Sequence, residues 1–325
     1  MNNIYDENLP DILNEYLGYL FTVRGKSINT IKGYKYDLCM LLKYLKKKKF
    51  NLKDSLDDIT IKDIDENFMN EIKLMDLYSF ITFITVEKEN SSYARARKTA
   101  AIKSFFNFLY SKAKVIESNP ASELESPKIS TRHPVYLTLN QSKKLLNTVN
   151  AVDGRNKERD YAIITLFLNC GLRLSELVGI NISKIKADIL TVIGKGNKER
   201  TIYLNNACLK AIESYMNVRP KDAESDALFL SERKSRINKR TVEVIVKKYT
   251  KAAGLYDDKY TPHKLRHTAA TLMYKYGNVD IRALQQILGH ESVSTTQIYT
   301  HVDDEQLREA VKSNPLSMED EDDKD

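Results

Sequence analysis

Six residues of this chain could share one reaction. Arg173 sits in Asn169-Cys170-Gly171-Leu172-Arg173-Leu174-Ser175-Glu176-Leu177, and Lys195 in Gly194-Lys195-Gly196-Asn197-Lys198. His263 and Arg266 share Thr261-Pro262-His263-Lys264-Leu265-Arg266-His267. His290 and Tyr299 bracket Leu288-Gly289-His290-Glu291-Ser292-Val293-Ser294-Thr295-Thr296-Gln297-Ile298-Tyr299. The set holds two arginines, a lysine, two histidines and a tyrosine, without a cluster of acids to hold Mg²⁺. Phosphoryl transfer without a metal needs cations on the transition-state charge, an acid for the leaving oxygen and a nucleophile. A tyrosine, with an ordinary pKa of about 10, must lose its proton to a base or be held as phenolate by cations. This set can do both.

Each residue also has a plainer reading. Arg173 follows an apolar helix and a glycine, so it lies at the edge of a core, where a guanidinium seeks a planar oxyanion. A structural pair with Glu176 at i, i+3 is the alternative. Lys195 on a Gly-flanked turn is a point charge or acid, or a solvated turn lysine; the pattern lacks the Gly-Lys-Ser/Thr ending of a Walker loop. Thr261 suits an N-cap and Pro262 a first helical residue. That places His263 and Arg266 on one face of a first turn, where free N–H groups favour anions. His263 and His267 have the i, i+4 spacing of zinc ligands, but no Glu lies between them and no third ligand is near. His267 therefore reads as a packing residue. Tyr299 is one of nineteen tyrosines, and only its partners single it out.

The elements that must position these residues are mostly helical. Ile12, Leu13, Tyr16, Leu17, Leu20 and Phe21 recur at helical spacing over Leu9 to Phe21. Ser27 can cap a second helix, with Ile31, Tyr34, Leu38, Leu41, Leu42 and Leu45 on one face. Weaker helical segments follow at 61–73 and 75–86. A strong one spans 91–112, with Ile102, Phe105, Phe106 and Leu109 at core spacing. Its early turns carry Arg95, Arg97, Lys98 and Lys103 between alanines, which would let a duplex approach and the cations meet phosphates. A charged outer face is the alternative. Glu117 to His133, with Pro120 and Pro127, reads as a boundary. Beyond it, Thr138 caps a helix bearing Leu145 and Leu146, and Arg159 to Leu168 is a buried helix. Ile189–Ile193 and Arg200–Leu204 flank turn chemistry and form the one clear β signal. Arg236 to Ala253 is basic and amphipathic, with Val242, Ile245, Val246 and Tyr249 as its stripe; Arg240 joins the candidate DNA contacts. Ile281, Leu284, Ile287 and Leu288 form an apolar run that stops at Gly289, a left-handed cap. His290 then begins a chain reversal.

Composition sets the frame. With 325 residues, 42% hydrophobic and 29% charged, the chain can hold two domains and ample core. No apolar run is long enough for a membrane span, and no signal pattern opens the chain. Cys39, Cys170 and Cys208 are distant in sequence and read as buried free thiols in a reducing, cytoplasmic compartment. The formal charge is +7; the last seven residues hold six acids and one lysine, net −5, so the rest carries +12. A basic body suits a polyanionic partner.

Taken together and in order, the motifs resemble the active-site signature of the tyrosine recombinases, the phage integrase family. The likeness is nearest to bacterial Xer-type recombinases and covers nearly the whole chain. It implies a mainly α fold of two domains. Residues 1–128 would be an all-helical core-binding, SAM-like domain, 129–134 a linker, 135–318 a mostly helical catalytic domain with a small β-sheet, and 319–325 an acidic disordered tail. It also implies roles. Tyr299 would attack a DNA phosphate, Arg173 and Arg266 would grip its non-bridging oxygens, and His290 would hydrogen-bond it. Lys195 would protonate the leaving 5′-oxygen, and His263 would act as base. Neither a metal nor a cofactor is implied. The partners would be a double-stranded recombination site and a homo- or hetero-tetramer with a paralogous recombinase, with a DNA translocase as a further candidate. The implied role is dimer resolution at cell division. The rivals are a mobile-element integrase or excisionase, a type IB topoisomerase-like enzyme and a non-catalytic DNA-binding protein.

Overall fold

The computed structural model describes residues 5–127, 135–194, 198–223, 225–255, 260–277, 279–289 and 296. The chain divides into two units, Met1–Thr131 and Arg132–Asp325. The linker expected at 129–134 and the acidic tail at 319–325 lie outside the described residues.

Among the described residues, five α-helices build the first unit: α1 (Asp11–Thr22), α2 (Ile28–Lys49), α3 (Glu66–Asn70), α4 (Leu74–Val86) and α5 (Ser92–Phe108). The last runs into a π-turn, Leu109–Ala113, that ends at left-handed Lys114. Short polar side chains start three of the five. Ser27 Oγ accepts from Thr30 N at 3.2 Å, Asp65 Oδ1 from Phe68 N at 2.9 Å and Ser91 Oγ from Ala94 N at 3.3 Å. Each bond satisfies a donor that the first turn leaves orphaned. The apolar faces close on one core, where Tyr16, Phe80, Phe105 and Phe106 are fully buried. Two expectations are corrected. The helix expected over 61–73 is only α3, because the Asp65 cap starts it at Glu66, while Ile61 and Ile64 reach the core from irregular chain. Phe21, expected on the α1 stripe, is 45% exposed, since it stands in the last turn beyond Leu20.

The second unit is organised around α7 (Lys157–Cys170), buried along almost its whole length. Against it pack α6 (Leu139–Ala151), α8 (Leu174–Val178), α9 (Asn206–Val218), α10 (Lys239–Ala252) and α11 (Pro262–Tyr276), while α12 (Ile281–Leu288) packs on α11. Thr138 caps α6 in a box with Gln141. The stripe of α10, Val242, Ile245, Val246 and Tyr249, is buried. Between α8 and α9 lies an antiparallel sheet of order β1 (Ile185–Lys186), β2 (Ile189–Ile193) and β3 (Glu199–Tyr203). The β2–β3 register pairs Leu190 with Ile202 and Val192 with Arg200. Leu190, Val192 and Ile202 therefore face the core, and Arg200 shares their face.

Cys170 and Cys208 are buried free thiols with Sγ atoms 3.6 Å apart, whereas Cys39, expected to be buried, is half-buried. Among the described residues no helix is long and apolar enough to cross a membrane.

Candidate active site

The site grows from the end of α7. Gly171 stops that helix at φ +58°, a conformation that β-carbons penalise. A β-carbon on Gly171 would also lie 2.9 Å from Leu288 Cδ2. The chain then turns, and extended Arg173 becomes the residue that precedes α8. Three residues on, Glu176 folds back, and its Oε2 accepts from the Arg173 backbone N at 2.7 Å. The same carboxylate takes the Arg173 side chain, Nη1 to Oε1 at 2.7 Å. The structural Arg173–Glu176 pair weighed from sequence is thus present. It does not exhaust the guanidinium, because Nη2 donates to Gly289 O at 2.6 Å.

Glu176 serves more than Arg173. Arg200, inward-facing on β3, donates from Nε to Oε1 at 3.1 Å and from Nη2 to Oε2 at 2.8 Å. Arg266 Nη1 stands 3.8 Å from Oε2. One buried carboxylate therefore gathers three guanidiniums, and the cluster keeps a positive excess that suits a phosphate. Burial works to raise the Glu176 pKa; the Arg200 hydrogen bonds and charge, and then Arg173, outweigh it and hold the carboxyl below its ordinary range.

Arg266 is the fifth residue of α11. Pro262 occupies the first helical position, as expected; Thr261 precedes it but makes no side-chain capping bond. Arg266 is 4% exposed and donates to Gly171 O at 2.6 Å and to Leu288 O at 2.7 Å. Arg200 Nη1 donates to Ile287 O. Three consecutive carbonyls at the end of α12 thus receive one arginine each. A helix C-terminus carries unsatisfied carbonyls and partial negative charge, and cations there answer both. Gly289 ends α12 at φ +63°, and a β-carbon on it would meet Arg200 Cδ at 2.7 Å.

His263 Nε2 lies 3.0 Å from His267 Nε2, with ring centroids 4.4 Å apart. One ring must donate and the other accept, so at least one is neutral. His267 is therefore a hydrogen-bonding neighbour as well as a packing residue. Partial burial, then the charges of Lys264 and Arg266, lower the His263 pKa below its ordinary 6.5. Lys195, His290 and Tyr299 lie outside the described residues. The flank of the Lys195 turn is described: a β-carbon on Gly194 would stand 3.7 Å from Arg173 Nη1 and 3.6 Å from Glu176 Oε1.

The candidate DNA contacts divide by geometry. Arg97 is exposed and reaches Asp37 Oδ1 at 2.8 Å. Lys98, 3% exposed, donates to the same oxygen at 3.0 Å from inside the core. Lys103 donates to Leu124 O at 2.8 Å, and Arg95 Nη1 to Thr85 Oγ1 at 3.3 Å. Arg240 is 84% exposed by side chain, 3.7 Å from Glu243, on a groove shared with Lys251, Tyr260, Thr261 and Pro262. Sequence reasoning missed Arg200. Its signal was its phase: it alternates with Ile202 on the inward face of a strand, where a charge needs a partner.

Residues 135–306 match the model described as Phage integrase family, and residues 13–113 the model described as Phage integrase, N-terminal SAM-like domain. The chain is 61% identical over 314 residues to the Tyrosine recombinase XerC of Caldanaerobacter subterraneus subsp. tengcongensis, covering 95% of this chain and 88% of that one. It is 35% identical over 304 residues to the Tyrosine recombinase XerD of Yersinia pestis, with 92% and 95% covered. A solved XerH site-specific recombinase, bound to a palindromic difH substrate in a post-cleavage complex, superposes with a TM-score of 0.69 at 20% identity. The match covers 93% of this chain and 84% of that chain, and speaks for the fold.

Proposed function

The chain belongs to the phage integrase family and is a tyrosine recombinase, and we propose that it resolves chromosome or plasmid dimers in the cytoplasm at cell division. Its relatives named XerC and XerD, which span nearly the whole chain, support this role over that of a mobile-element integrase. Residues 1–128 form the core-binding domain and 135–318 the catalytic domain in this reading. Four protomers, identical or shared with a paralogue, hold two recombination sites and exchange strands in pairs through a Holliday junction. A DNA translocase is a candidate activator.

In the proposed step, the Tyr299 oxygen attacks the scissile phosphorus. The bond from tyrosine oxygen to phosphorus forms, and the bond from phosphorus to the 5′-oxygen breaks. His263, neutral at pH 7, accepts the tyrosine proton; Lys195 gives a proton to the leaving 5′-oxygen. Arg173 and Arg266 neutralise the non-bridging oxygens, with His290 donating beside them. The 3′-phosphotyrosine keeps the energy of the phosphodiester, so the reverse attack by another 5′-hydroxyl rejoins the strand. The observation that carries this reading is the meeting of Arg173 and Arg266 at Gly289 and Leu288, directly before His290 in the chain. Exposed Arg97 and Arg240 are the candidate phosphate contacts of the two units, with Arg95 beside Arg97. Lys98 and Lys103 support them from within.

The test is to trap the intermediate. Wild type and Tyr299→Phe are incubated without metal with nicked duplexes carrying candidate sites, and SDS-resistant adducts are sought. An adduct with wild type alone is expected; an adduct with both moves the nucleophile to another tyrosine. Two-site substrates then separate recombination from the relaxation a topoisomerase would give.

A further inference from the structure

We infer that Arg200 is a positioning residue for the reaction: by occupying half of the Glu176 carboxylate it holds the Arg173 guanidinium to a single bond with Glu176 and keeps it open to a phosphate. The inference rests on the reading of Arg173 as a ligand of the scissile phosphate.

A carboxylate has two oxygens, each able to accept two hydrogen bonds. At Glu176 all four places are taken. Arg200 fills one on each oxygen, through Nε and Nη2, in the two-pronged geometry that guanidinium and carboxylate favour. The Arg173 backbone N takes a third and Arg173 Nη1 the fourth. The Arg173 guanidinium can therefore meet Glu176 through one nitrogen only. Its Nη2 is drawn instead to Gly289 O, and the side chain keeps 29% of its surface exposed, against 12% for Arg200. Without Arg200, the vacated places would let Arg173 close into its own two-pronged pair and turn away from solvent. The role needs two donors on one rigid plane, which a lysine ammonium cannot supply.

Arg200 also joins three segments. It stands on β3 in the hairpin that carries Lys195, it fixes Glu176 on α8, and its Nη1 holds Ile287 O at the end of α12. Val192 pairs with it on the neighbouring strand, so its stem lies on the core side, and its Cδ runs 2.7 Å from where a β-carbon on Gly289 would stand.

The test compares wild type, Arg173→Ala, Arg200→Met and Arg200→Lys in single-turnover cleavage of the nicked duplex that wild type cleaves. Each is measured with an ordinary scissile phosphate and with one non-bridging oxygen replaced by methyl, which makes the phosphate neutral. Thermal midpoints are followed in parallel, and Arg200→Lys, which keeps the cation and the stem, decides the matter if Arg200→Met melts below the assay temperature. Both Arg200 variants are expected to cleave the ordinary phosphate about 10- to 100-fold more slowly, below the roughly 100- to 1000-fold cost of losing a direct donor. Both deficits should shrink on the neutral phosphate, in parallel with that of Arg173→Ala. Wild-type rates in the Arg200 variants, or deficits equal on both substrates, overturn the positioning role while leaving Arg173 as assigned. A deficit of Arg173→Ala that is equal on both substrates overturns the phosphate reading of Arg173 and this inference with it.

Discussion

Arg173 Nη2 donates to Gly289 O at 2.6 Å across 116 residues of sequence. Through this bond the corner after α7 and the end of α12 become one surface, with Glu176 beneath it. Arg173→Ala should therefore act locally. Glu176 keeps Arg200, and Leu288 O and Ile287 O keep their own donors. Cleavage is expected to fall by roughly 100- to 1000-fold, with DNA binding nearly unchanged in a gel-shift titration. Loss of the folded state would instead make the Arg173–Glu176 pair structural.

Glu176→Ala should act on the fold itself. It leaves buried Arg266 and largely covered Arg200 without their counter-charge, at a cost of about 3–5 kcal/mol, read in urea unfolding. The pH dependence follows from the depressed Glu176 pKa. A carboxyl held below its ordinary value of 4.5 contributes stability that is complete above that pH and is lost as pH falls through the folded value. Wild type should lose stability steeply below pH 4.5, and Glu176→Gln should flatten that limb.

His263 has the same sign for a different reason. Its folded pKa lies below 6.5, so the folded protein resists the proton that the unfolded chain accepts. Its effect on stability is absent well above pH 6.5 and becomes a penalty as pH falls below it. If His263 is the base, cleavage should hold its rate down through pH 6.5 and decline only at lower pH. His263→Gln should lower the rate and remove that decline in a single-turnover pH series.

Lys98 and Arg97 share Asp37 Oδ1 and should still separate. Arg97→Ala removes an exposed partner: little stability changes, about 0–1 kcal/mol. If Arg97 meets a phosphate, the slope of log K against log salt should drop by about 1. Lys98→Met strips a fully buried carboxylate of its buried cation and should cost about 3–5 kcal/mol, seen as a lowered unfolding midpoint. An equal effect of both on salt dependence would return Lys98 to the DNA face.

Gly289→Ala combines two penalties. An alanine at φ +63° costs about 1–2 kcal/mol, and its β-carbon would meet Arg200 Cδ at 2.7 Å. Stability should drop by at least the first amount, and cleavage should fall with Arg200 displaced. Undiminished cleavage would show that Arg200 can move without consequence.

Much of this was legible from residue types. Periodicity places α1, α2, α6 and α10, because each buries one apolar stripe that recurs every three or four residues, while α7 shows as a continuous apolar run buried on all sides. The β2–β3 hairpin shows in its branched residues and glycine turn, whereas β1 has two residues and no pattern to show. The motifs around Arg173 and Arg266 announce cations beside helix ends. The carbonyls that receive those cations carry no sequence signature, since every residue has one. Arg200 was hidden for that reason, and so was the burial of Lys98, because its partner Asp37 stands 61 residues away. Long-range pairing of charges is a property of the packed fold, and only its phase on a strand or helix leaves a trace in the sequence.

The arginine bonds to Ile287, Leu288 and Gly289 also bear on synthesis. The donors lie at residues 173, 200 and 266, and all three carbonyls come after them. A ribosome releases the donors first, so in a growing or truncated chain lacking α12 the three arginines keep their bonds to Glu176 and to Gly171 O but not those to the three carbonyls. In the proposed reaction the cutting site is completed last, since His290 and Tyr299 follow α12 in the sequence. For a recombinase, this order leaves unfinished copies without the completed arginine cluster.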